Sequence, residues 1–194
     1  MNVIDLFCGG GGMSLGFQNS GFDILAGYDN WAPAVKVYRK NFRHPIYEKD
    51  LADKSVHIEI KNMSPDIIIG GPPCQDFSSA GHRDVTLGRA ILTNSYCDII
   101  TTVHPTYFVM ENVPTITKSQ ILKDVIARFK DAGYGLTAMI LDASLCGVPQ
   151  SRKRFVLIGH KNDNDDFLKD ILLSGLSDKP LTMRDYFGNS LETD

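Results

Sequence analysis

Residues 2–17 read NVIDLFCGGGGMSLGF, and this stretch decides the fold of the chain. A short apolar run rich in β-forming residues ends in four glycines, and residues 13–17 then continue at helical spacing. Residues 22–42 repeat this order, because the strand pattern FDILAGYD is followed by a helical apolar face. The start of the chain therefore predicts two successive strand–helix units.

Four more apolar runs, each followed by polar or turn-forming residues, bring the predicted strands to six or seven: residues 66–69, 107–110, 136–141 and 155–158. Strands that alternate with helices form a mostly parallel sheet covered on both faces. We therefore predict an α/β protein with a Rossmann-like, doubly wound sheet. Ligands of such sheets bind at the carboxyl ends of the strands, near the point where strand order reverses.

The composition is that of one globular domain, with 194 residues, of which 43% are hydrophobic and 22% charged. No apolar run approaches the roughly 20 residues of a membrane span, and no signal-peptide pattern is present, so we expect a cytoplasmic protein without membrane contact. The polar stretch 162–166 predicts a boundary between a main domain at residues 1–160 and an acidic extension at residues 161–194. A net charge of −3 provides no overall basic surface for nucleic acid.

The glycine turn at residues 9–12 tolerates positive φ and leaves helix N–H groups free, which favours a nucleotide-like ligand over a simple tight turn. Its spacing is not G-x-G-x-x-G, so it does not indicate NAD. Asp29, at the next strand end, could accept hydrogen bonds from ribose hydroxyls. Trp31 could contact adenine or pack on a helix face, and Asp50 could bind an exocyclic amine, form a turn or cap a helix.

Residues 70–78 read GGPPCQDFS and are the most specific feature of the chain. Paired prolines stiffen the turn and hold Cys74 beside the end of the sheet, where a thiolate could act as a nucleophile. The other three cysteines lack such a setting, and we expect Cys8, Cys97 and Cys146 to be structural. The four cysteines are too widely spaced to form a C-x-x-C motif of a metal or redox site.

Glu111 ends an apolar strand, where a dry sheet edge would favour a protonated carboxyl that donates a hydrogen bond. The alternative is a carboxylate that caps the next helix, since Pro114 and Thr115 signal a helix start. Arg152 and Arg154 place two guanidinium groups on one side of an extended segment, which suits contact with a phosphate or carbonyl group.

The motifs FCGGGG, GGPPCQDFS, ENV and QSRKR, in this order, resemble those of the C5-cytosine methyltransferase family over residues 2–159. The resemblance implies the sheet of methyltransferases that depend on S-adenosylmethionine, with this molecule as cofactor and no metal. It also implies a set of cofactor-binding residues: Phe7, Gly9, Gly11, Asp29, Asn30, Trp31, Asp50, Leu51 and Pro73. The family usually carries Glu where Asp29 stands, which shortens the reach to the ribose and preserves the charge.

The same resemblance implies that Cys74 attacks carbon 6 of a flipped cytosine and that Glu111 holds or protonates ring nitrogen 3. Arg152 and Arg154 would position the base and a nearby phosphate. A loop at residues 76–89 would close over the extruded nucleotide. The implied contacts to double-stranded DNA are Gln75, Ser78, Ser79, His82, Arg83 and Arg89.

Residues 179–188 resemble the stretch that precedes the target-recognition region in this family, so we expect a second polypeptide with that region and a closing segment, or else a fragment. Three other functions remain open. A related enzyme could methylate transfer RNA, and a non-catalytic chain could bind the cofactor and regulate a partner. A nicotinamide-dependent oxidoreductase would use the same sheet without needing Cys74.

Overall fold

The computed structural model describes residues 1–73 and 84–188, with side chains from residue 92 onward in the second range. Within these ranges the strands are β1 (Asn2–Leu6), β2 (Asp23–Asp29), β3 (Ile46–Glu48), β4 (Ile67–Gly70), β5 (Tyr107–Asn112), β6 (Tyr134–Asp142) and β7 (Lys153–Lys161). The helices are α1 (Gly12–Asn19), α2 (Ala32–Asn41), α3 (Lys54–Asn62), α4 (Asp84–Val103), α5 (Gln120–Asp131), α6 (Lys169–Ser174) and α7 (Met183–Phe187).

The seven strands form one sheet in the order β3-β2-β1-β4-β5-β7-β6. Five neighbouring strands from β3 to β5 are parallel, and β7 runs antiparallel to both of its neighbours. The mostly parallel, doubly wound sheet is therefore confirmed. Strand order reverses at β1, which pairs with β2 on one side and β4 on the other, so ligands are expected beside the end of β1.

The strand registers bring the candidate residues to one rim. Leu6 at the end of β1 pairs with Tyr28 and with Gly70, and Gly70 pairs with Met110. The opposite direction of β7 brings its first residues to this same rim, because Phe155 pairs with Asn112 at the end of β5. Polar residues at both ends of the chain therefore meet there.

The two faces of the sheet are covered by different helices. Ile4 and Leu6 pack in a large core with residues of α3, α4 and α5, whereas Val3 faces the side chains of α1. Because side chains alternate along a strand, Asp5 lies on the same face as Val3, beside α1 and α2. Within the described ranges, Asp5 is thus buried on the face of the sheet that α1 and α2 cover.

The polar stretch at residues 162–166 follows β7 directly. The chain turns at Asp166, where φ is 60°, and the short helix α6 begins at Lys169. Ser177 and Leu181 donate backbone hydrogen bonds to carbonyl groups at Leu145 and Ser144. These bonds tie the segment to the body, and the boundary at residue 160 stays a prediction.

None of the helices in the described ranges is both long and apolar enough to cross a membrane.

Gly159 gives a direct test of the core. A Cβ atom at Gly159 would lie 2.0 Å from Cε1 of Phe108, whose ring centroid lies 4.3 Å from that of Phe129. We therefore expect Gly159→Ala to lower the free energy of unfolding by about 1–3 kcal/mol through overpacking. Urea-induced unfolding measures this loss.

The matched control is Gly16→Ala in the exposed part of α1, where a Cβ atom would meet nothing within 4 Å. This substitution should raise stability by up to about 1 kcal/mol, because alanine is the better helix former. Equal effects of the two substitutions would contradict the packing described for Phe108.

Candidate active site

The glycine turn between β1 and α1 has a backbone that few residues tolerate. Gly9 and Gly11 have φ values of 54° and 92°, and Phe7 before them has φ of 53°. A Cβ atom at Gly11 would lie 2.2 Å from the ring of Phe42, so a larger residue cannot occupy this position. The turn therefore presents bare backbone at the rim of the sheet.

Asp29 connects this turn to the next one. Its Oδ2 atom accepts a hydrogen bond of 2.8 Å from the amide of Gly9, and its Oδ1 atom accepts one of 2.8 Å from the amide of Trp31. The Trp31 side chain is 65% exposed, so it does not pack on a helix face, and Asn30 beside it is exposed as well. Asp29 and an open indole ring therefore flank the glycine turn.

Asp50 and Leu51 follow β3 at the same rim, where the amide of Lys49 donates to the carbonyl of Asp29. The Oδ1 atom of Asp50 accepts from the amide of Ala52 at 2.9 Å, so Asp50 forms the turn. The cap of α3 is Asp53 instead, which excludes the capping role for Asp50. Leu51 is 2% exposed.

Asp5 lies beneath the glycine turn and was not among the predicted site residues. It is 1% exposed, and its Oδ2 atom accepts hydrogen bonds from the amide and hydroxyl of Ser14, at 3.1 and 2.6 Å. Its Oδ1 atom is buried without a hydrogen-bond partner among the described residues. Burial raises the pKa of Asp5 to about 7, and the hydrogen bonds from Ser14 oppose this shift.

The charge at the turn distinguishes between two kinds of ligand. The charge of Asp29 also raises the pKa of Asp5, and both carboxylates raise the pKa of the buried Cys8 thiol in the turn. When both are ionised, the two carboxyl groups attract a cation and disfavour an anionic group such as a pyrophosphate at the turn. The glycine turn at residues 9–12, together with Asp29 and Trp31, is called the cofactor cradle below.

A second site lies along the same rim, at the ends of β4 and β5. A cavity of about 180 Å³ is lined by Gly71, Pro72, Pro73, Glu111, Asn112, Val113, Arg152 and Arg154. The Nε atom of Arg154 lies 2.8 Å from Oε1 of Glu111. The structure thus brings together the predicted carboxyl group, both predicted guanidinium groups and the backbone that leads to Cys74.

The setting of Glu111 differs from the expected dry sheet edge. The Glu111 side chain is 31% exposed and forms an ion pair with Arg154, because the antiparallel start of β7 lies beside the end of β5. The capping alternative is wrong as well, since the following 3-10 turn is capped at Val113 without a side-chain bond. Glu111 is an accessible, oriented carboxyl group.

The two glycines before the prolines are required by their neighbours. A Cβ atom at Gly70 would lie 2.6 Å from the carbonyl oxygen of Leu6, and one at Gly71 would lie 3.3 Å from Oε2 of Glu111. The first glycine therefore permits close pairing with β1. The second leaves room for the carboxyl group in the cavity.

Asn112 positions the proline loop, a role that the sequence analysis missed. Its Nδ2 atom donates a hydrogen bond of 2.9 Å to the carbonyl of Pro72, and its Oδ1 atom accepts one of 2.8 Å from the amide of Val113. Asn112 is 4% exposed, so these bonds are shielded from water. The signal in the sequence was an amide side chain that follows Glu111 at the end of a mostly apolar strand.

Several predicted residues lie outside the described residues: Cys74, Gln75, Ser78, Ser79, His82 and Arg83. Arg89 belongs to α4, where the structure describes side chains only from residue 92 onward. Cys97 is buried, which raises the pKa of its thiol to about 12, whereas Cys146 is exposed. Among residues 1–73 and the described side chains after residue 91, no group of three or more metal-binding side chains is found.

Comparison with known proteins adds an independent line of evidence. The family model described as C-5 cytosine-specific DNA methylase matches residues 1–194. The chain is 58% identical over 192 residues to the type II methyltransferase M.HindV of Haemophilus influenzae, and 52% identical over 196 residues to M.HgiDI of Herpetosiphon aurantiacus. These matches cover 98% and 100% of this chain but 63% of each relative, which is less than two thirds of their length.

The fold is also found in a solved structure, that of the Dnmt2 methyltransferase of S. pombe. The TM-score is 0.81 at 20% identity, and the match covers 100% of this chain and 61% of the other. This likeness supports the methyltransferase fold alone.

The buried charge of Asp5 predicts a pH-dependent stability. Because its pKa is raised from 3.8 to about 7 in the folded chain, the folded state holds a proton between these values that the unfolded state has released. The free energy of unfolding should therefore fall as pH rises from about 4 to about 7. Asp5→Asn should remove this dependence and be the more stable protein at pH 8, by up to about 1.4 kcal/mol per unit of pKa difference.

Chemical denaturation at pH 5 and pH 8 measures this difference. Asp131→Asn, at an exposed position of α5, is the matched control and should leave the pH profile unchanged. The assignment would be contradicted if the free energy of unfolding rose between pH 5 and pH 8 by the same amount in the wild-type chain and in Asp5→Asn.

Asn112→Ala should lower the free energy of unfolding by about 1–3 kcal/mol, because the buried carbonyl of Pro72 loses its donor. Asn41→Ala is the matched control, since the Asn41 amide donates to the carbonyl of Val37 on an exposed helix surface. It should change stability by less than about 0.5 kcal/mol. Thermal unfolding of both variants provides the comparison, and equal losses would rule out a special role for Asn112.

Proposed function

The chain belongs to the C-5 cytosine-specific DNA methylase family, and from this premise we propose that it forms the catalytic part of an enzyme that methylates carbon 5 of cytosine in DNA. One observation carries the proposal. Glu111, Arg152 and Arg154 line a single cavity with the backbone of residues 71–73, which leads directly into Cys74. The cofactor cradle lies along the same rim of the sheet, so both reactants would meet there.

S-adenosylmethionine is the proposed cofactor, and when bound it supplies a methyl group on a positively charged sulfur. The carboxylates at the cradle and the orphaned oxygen of Asp5 support this assignment, because they suit a cation. Asp29 would accept hydrogen bonds from the ribose hydroxyls, and Trp31 would cover the adenine. Asp50 and Leu51 would contact the edge of the adenine, while Phe7, Gly9, Gly11, Asn30 and Pro73 would complete the cradle.

The proposed chemistry begins at Cys74. Carbon 5 of cytosine is a weak nucleophile until a thiolate adds to carbon 6, which pushes an electron pair towards carbon 5. Formation of the sulfur–carbon 6 bond would thus prepare carbon 5 to accept the methyl group, whose bond to the sulfonium sulfur would break and leave S-adenosylhomocysteine as the product. Loss of the proton from carbon 5 then restores the ring double bond and breaks the bond to Cys74.

Glu111 would hold ring nitrogen 3 and share a proton with it while the covalent adduct exists. The ion pair with Arg154 fixes the direction of the Glu111 carboxyl group before the base arrives. Arg152, which is exposed at the mouth of the cavity, would contact the base or a neighbouring phosphate. Preorganised groups of this kind are the usual source of rate enhancement.

The substrate is proposed to be double-stranded DNA with the cytosine flipped from the helix, because Glu111 must reach its Watson–Crick edge. Gln75, Ser78, Ser79, His82, Arg83 and Arg89 are the proposed contacts to the DNA. The matches to the relatives cover 63% of their length. A second polypeptide that carries a target-recognition region is a proposed partner, and the alternative is that this chain is a fragment. The cytoplasmic location, within a bacterial restriction–modification system, stays a prediction.

The test is a transfer assay with methyl-labelled S-adenosylmethionine, duplex DNA of mixed sequence and, separately, transfer RNA. The chain is assayed alone and together with the part of M.HindV that lies beyond the match. We expect label at carbon 5 of cytosine in DNA, and we expect Cys74→Ser to reduce it to background. Label in transfer RNA alone would favour the RNA enzyme, and cofactor binding without any transfer would favour the non-catalytic subunit.

Two arginine variants serve as internal controls in the same assay. Arg154→Ala should lower the transfer rate by roughly 10–100-fold, because Glu111 loses its orienting partner. Arg128→Ala removes a comparable ion pair with Asp98 between α5 and α4, the helices that cover the sheet face of Ile4 and Leu6. This variant should change the rate by less than about twofold. Similar losses in both variants would indicate a general loss of stability.

A further inference from the structure

A chain of hydrogen bonds leads away from Asp5 through the interior of the protein. Ser14 donates to Asp5, and its Oγ atom lies 2.7 Å from the hydroxyl of Tyr38 on α2. That hydroxyl lies 3.2 Å from Nδ1 of His44. Ser14 and Tyr38 are both fully buried, and the chain of hydrogen bonds ends at the half-buried His44, which follows α2.

The charge of Asp5 fixes the direction of these bonds. An ionised carboxylate only accepts, so the single proton of the Ser14 hydroxyl points to Asp5. Ser14 must then accept from Tyr38, and Tyr38 must accept from the Nδ1–H group of His44. Burial lowers the pKa of the His44 imidazole, which supports the neutral ring that this arrangement needs.

The Tyr38 ring is held in place by neighbours on several sides. A Cβ atom at Gly27 would lie 2.8 Å from the Tyr38 hydroxyl, and one at Gly11 would lie 3.0 Å from the ring. The Phe42 and His44 rings pack against Tyr38 at centroid distances of 4.5 and 5.4 Å. The hydroxyl therefore has little freedom to turn from Ser14.

We propose that Ser14, Tyr38 and His44 form a relay of donors that keeps Asp5 charged and oriented for a cationic cofactor, with Tyr38 as a positioning residue. This inference rests on the proposed function, because it takes S-adenosylmethionine as the ligand of the cradle. The relay polarises the Ser14 hydroxyl, and this strengthens its bond to the carboxylate. It thereby offsets part of the unfavourable burial of the Asp5 charge.

Other titratable groups also face Asp5, and they remain the same in every variant compared. Asp29 and Cys8 lie on the side of the cradle, and the charge of Asp5 also acts on the phenol of Tyr96, which packs with α4 on the other face of the sheet. Burial raises the pKa of Cys8, Tyr38 and Tyr96, so these three groups stay uncharged between pH 6 and pH 9. Asp5 is the group whose charge the relay controls within this range.

The experiment is a calorimetric titration of the chain with S-adenosylmethionine at several pH values from 6 to 9. The affinity for S-adenosylmethionine should decrease as the pH falls through a midpoint near the pKa of Asp5. In Tyr38→Phe this midpoint should rise by about half a pH unit, because one donor of the relay is lost. Above pH 8.5 the affinities of both proteins should agree within about twofold. The ionisable groups of S-adenosylmethionine titrate in the same way in both experiments, so a difference between the two midpoints arises from the protein.

A double-mutant cycle separates the relay from simple packing. Ser14→Ala should raise the midpoint by about one unit, and Ser14→Ala with Tyr38→Phe should raise it no further, since Tyr38 acts through Ser14. Tyr134→Phe is the matched control, because this buried tyrosine donates to the carbonyl of Pro105 at the other end of the sheet. It should leave the midpoint unchanged.

Carbon-13 NMR of the Asp5 carboxyl group in the chain without cofactor gives a second readout, and the same order of shifts is expected. An unchanged midpoint in Tyr38→Phe, or an equal loss of affinity at every pH, would overturn the relay while leaving the proposed cofactor intact. An additive shift in the double variant would overturn it as well. Wild-type protein that binds no S-adenosylmethionine at any pH would overturn the cofactor assignment together with the relay.

Discussion

Parallel pairing of β1 with both β2 and β4 is the constraint on which the rest of the site depends. A strand with parallel neighbours on both sides ends at the same rim of the sheet as these neighbours, because all three strands run in one direction. The glycine turn after β1 and the proline loop after β4 therefore leave the sheet side by side. The proposed cofactor and the proposed base can both bind at one edge because strand order reverses here.

The same constraint explains why the site contains a buried charge. The central position of β1 leaves no solvent at Asp5, and two hydrogen bonds from Ser14 are its only described partners. An uncompensated carboxylate in such a place lowers the stability of the chain, and it also provides an attraction that a cation can satisfy. A binding site that opposes stability is common at functional positions.

The proline loop depends on the sheet in another way. Gly70 has no room for a side chain between β1 and Tyr96, and Gly71 leaves room for Glu111. Asn112 donates a hydrogen bond to the carbonyl of Pro72. The residues that precede Cys74 are thus held by neighbouring strands and not by the loop itself. Arg154 reaches Glu111 only because β7 enters the sheet in the antiparallel direction.

The sequence by itself determined the alternation of strands and helices, the glycine turn, and the motifs that place Asp29, Glu111, Arg152 and Arg154 at strand ends. These features are local, since periodicity and turn residues act over a few positions. Only the tertiary structure decided the ion pair of Glu111, the exposure of Trp31, the hold of Asn112 on Pro72 and the relay from Asp5 to His44. These depend on strand order and helix packing, which join residues far apart in the chain, and no local pattern encodes such contacts.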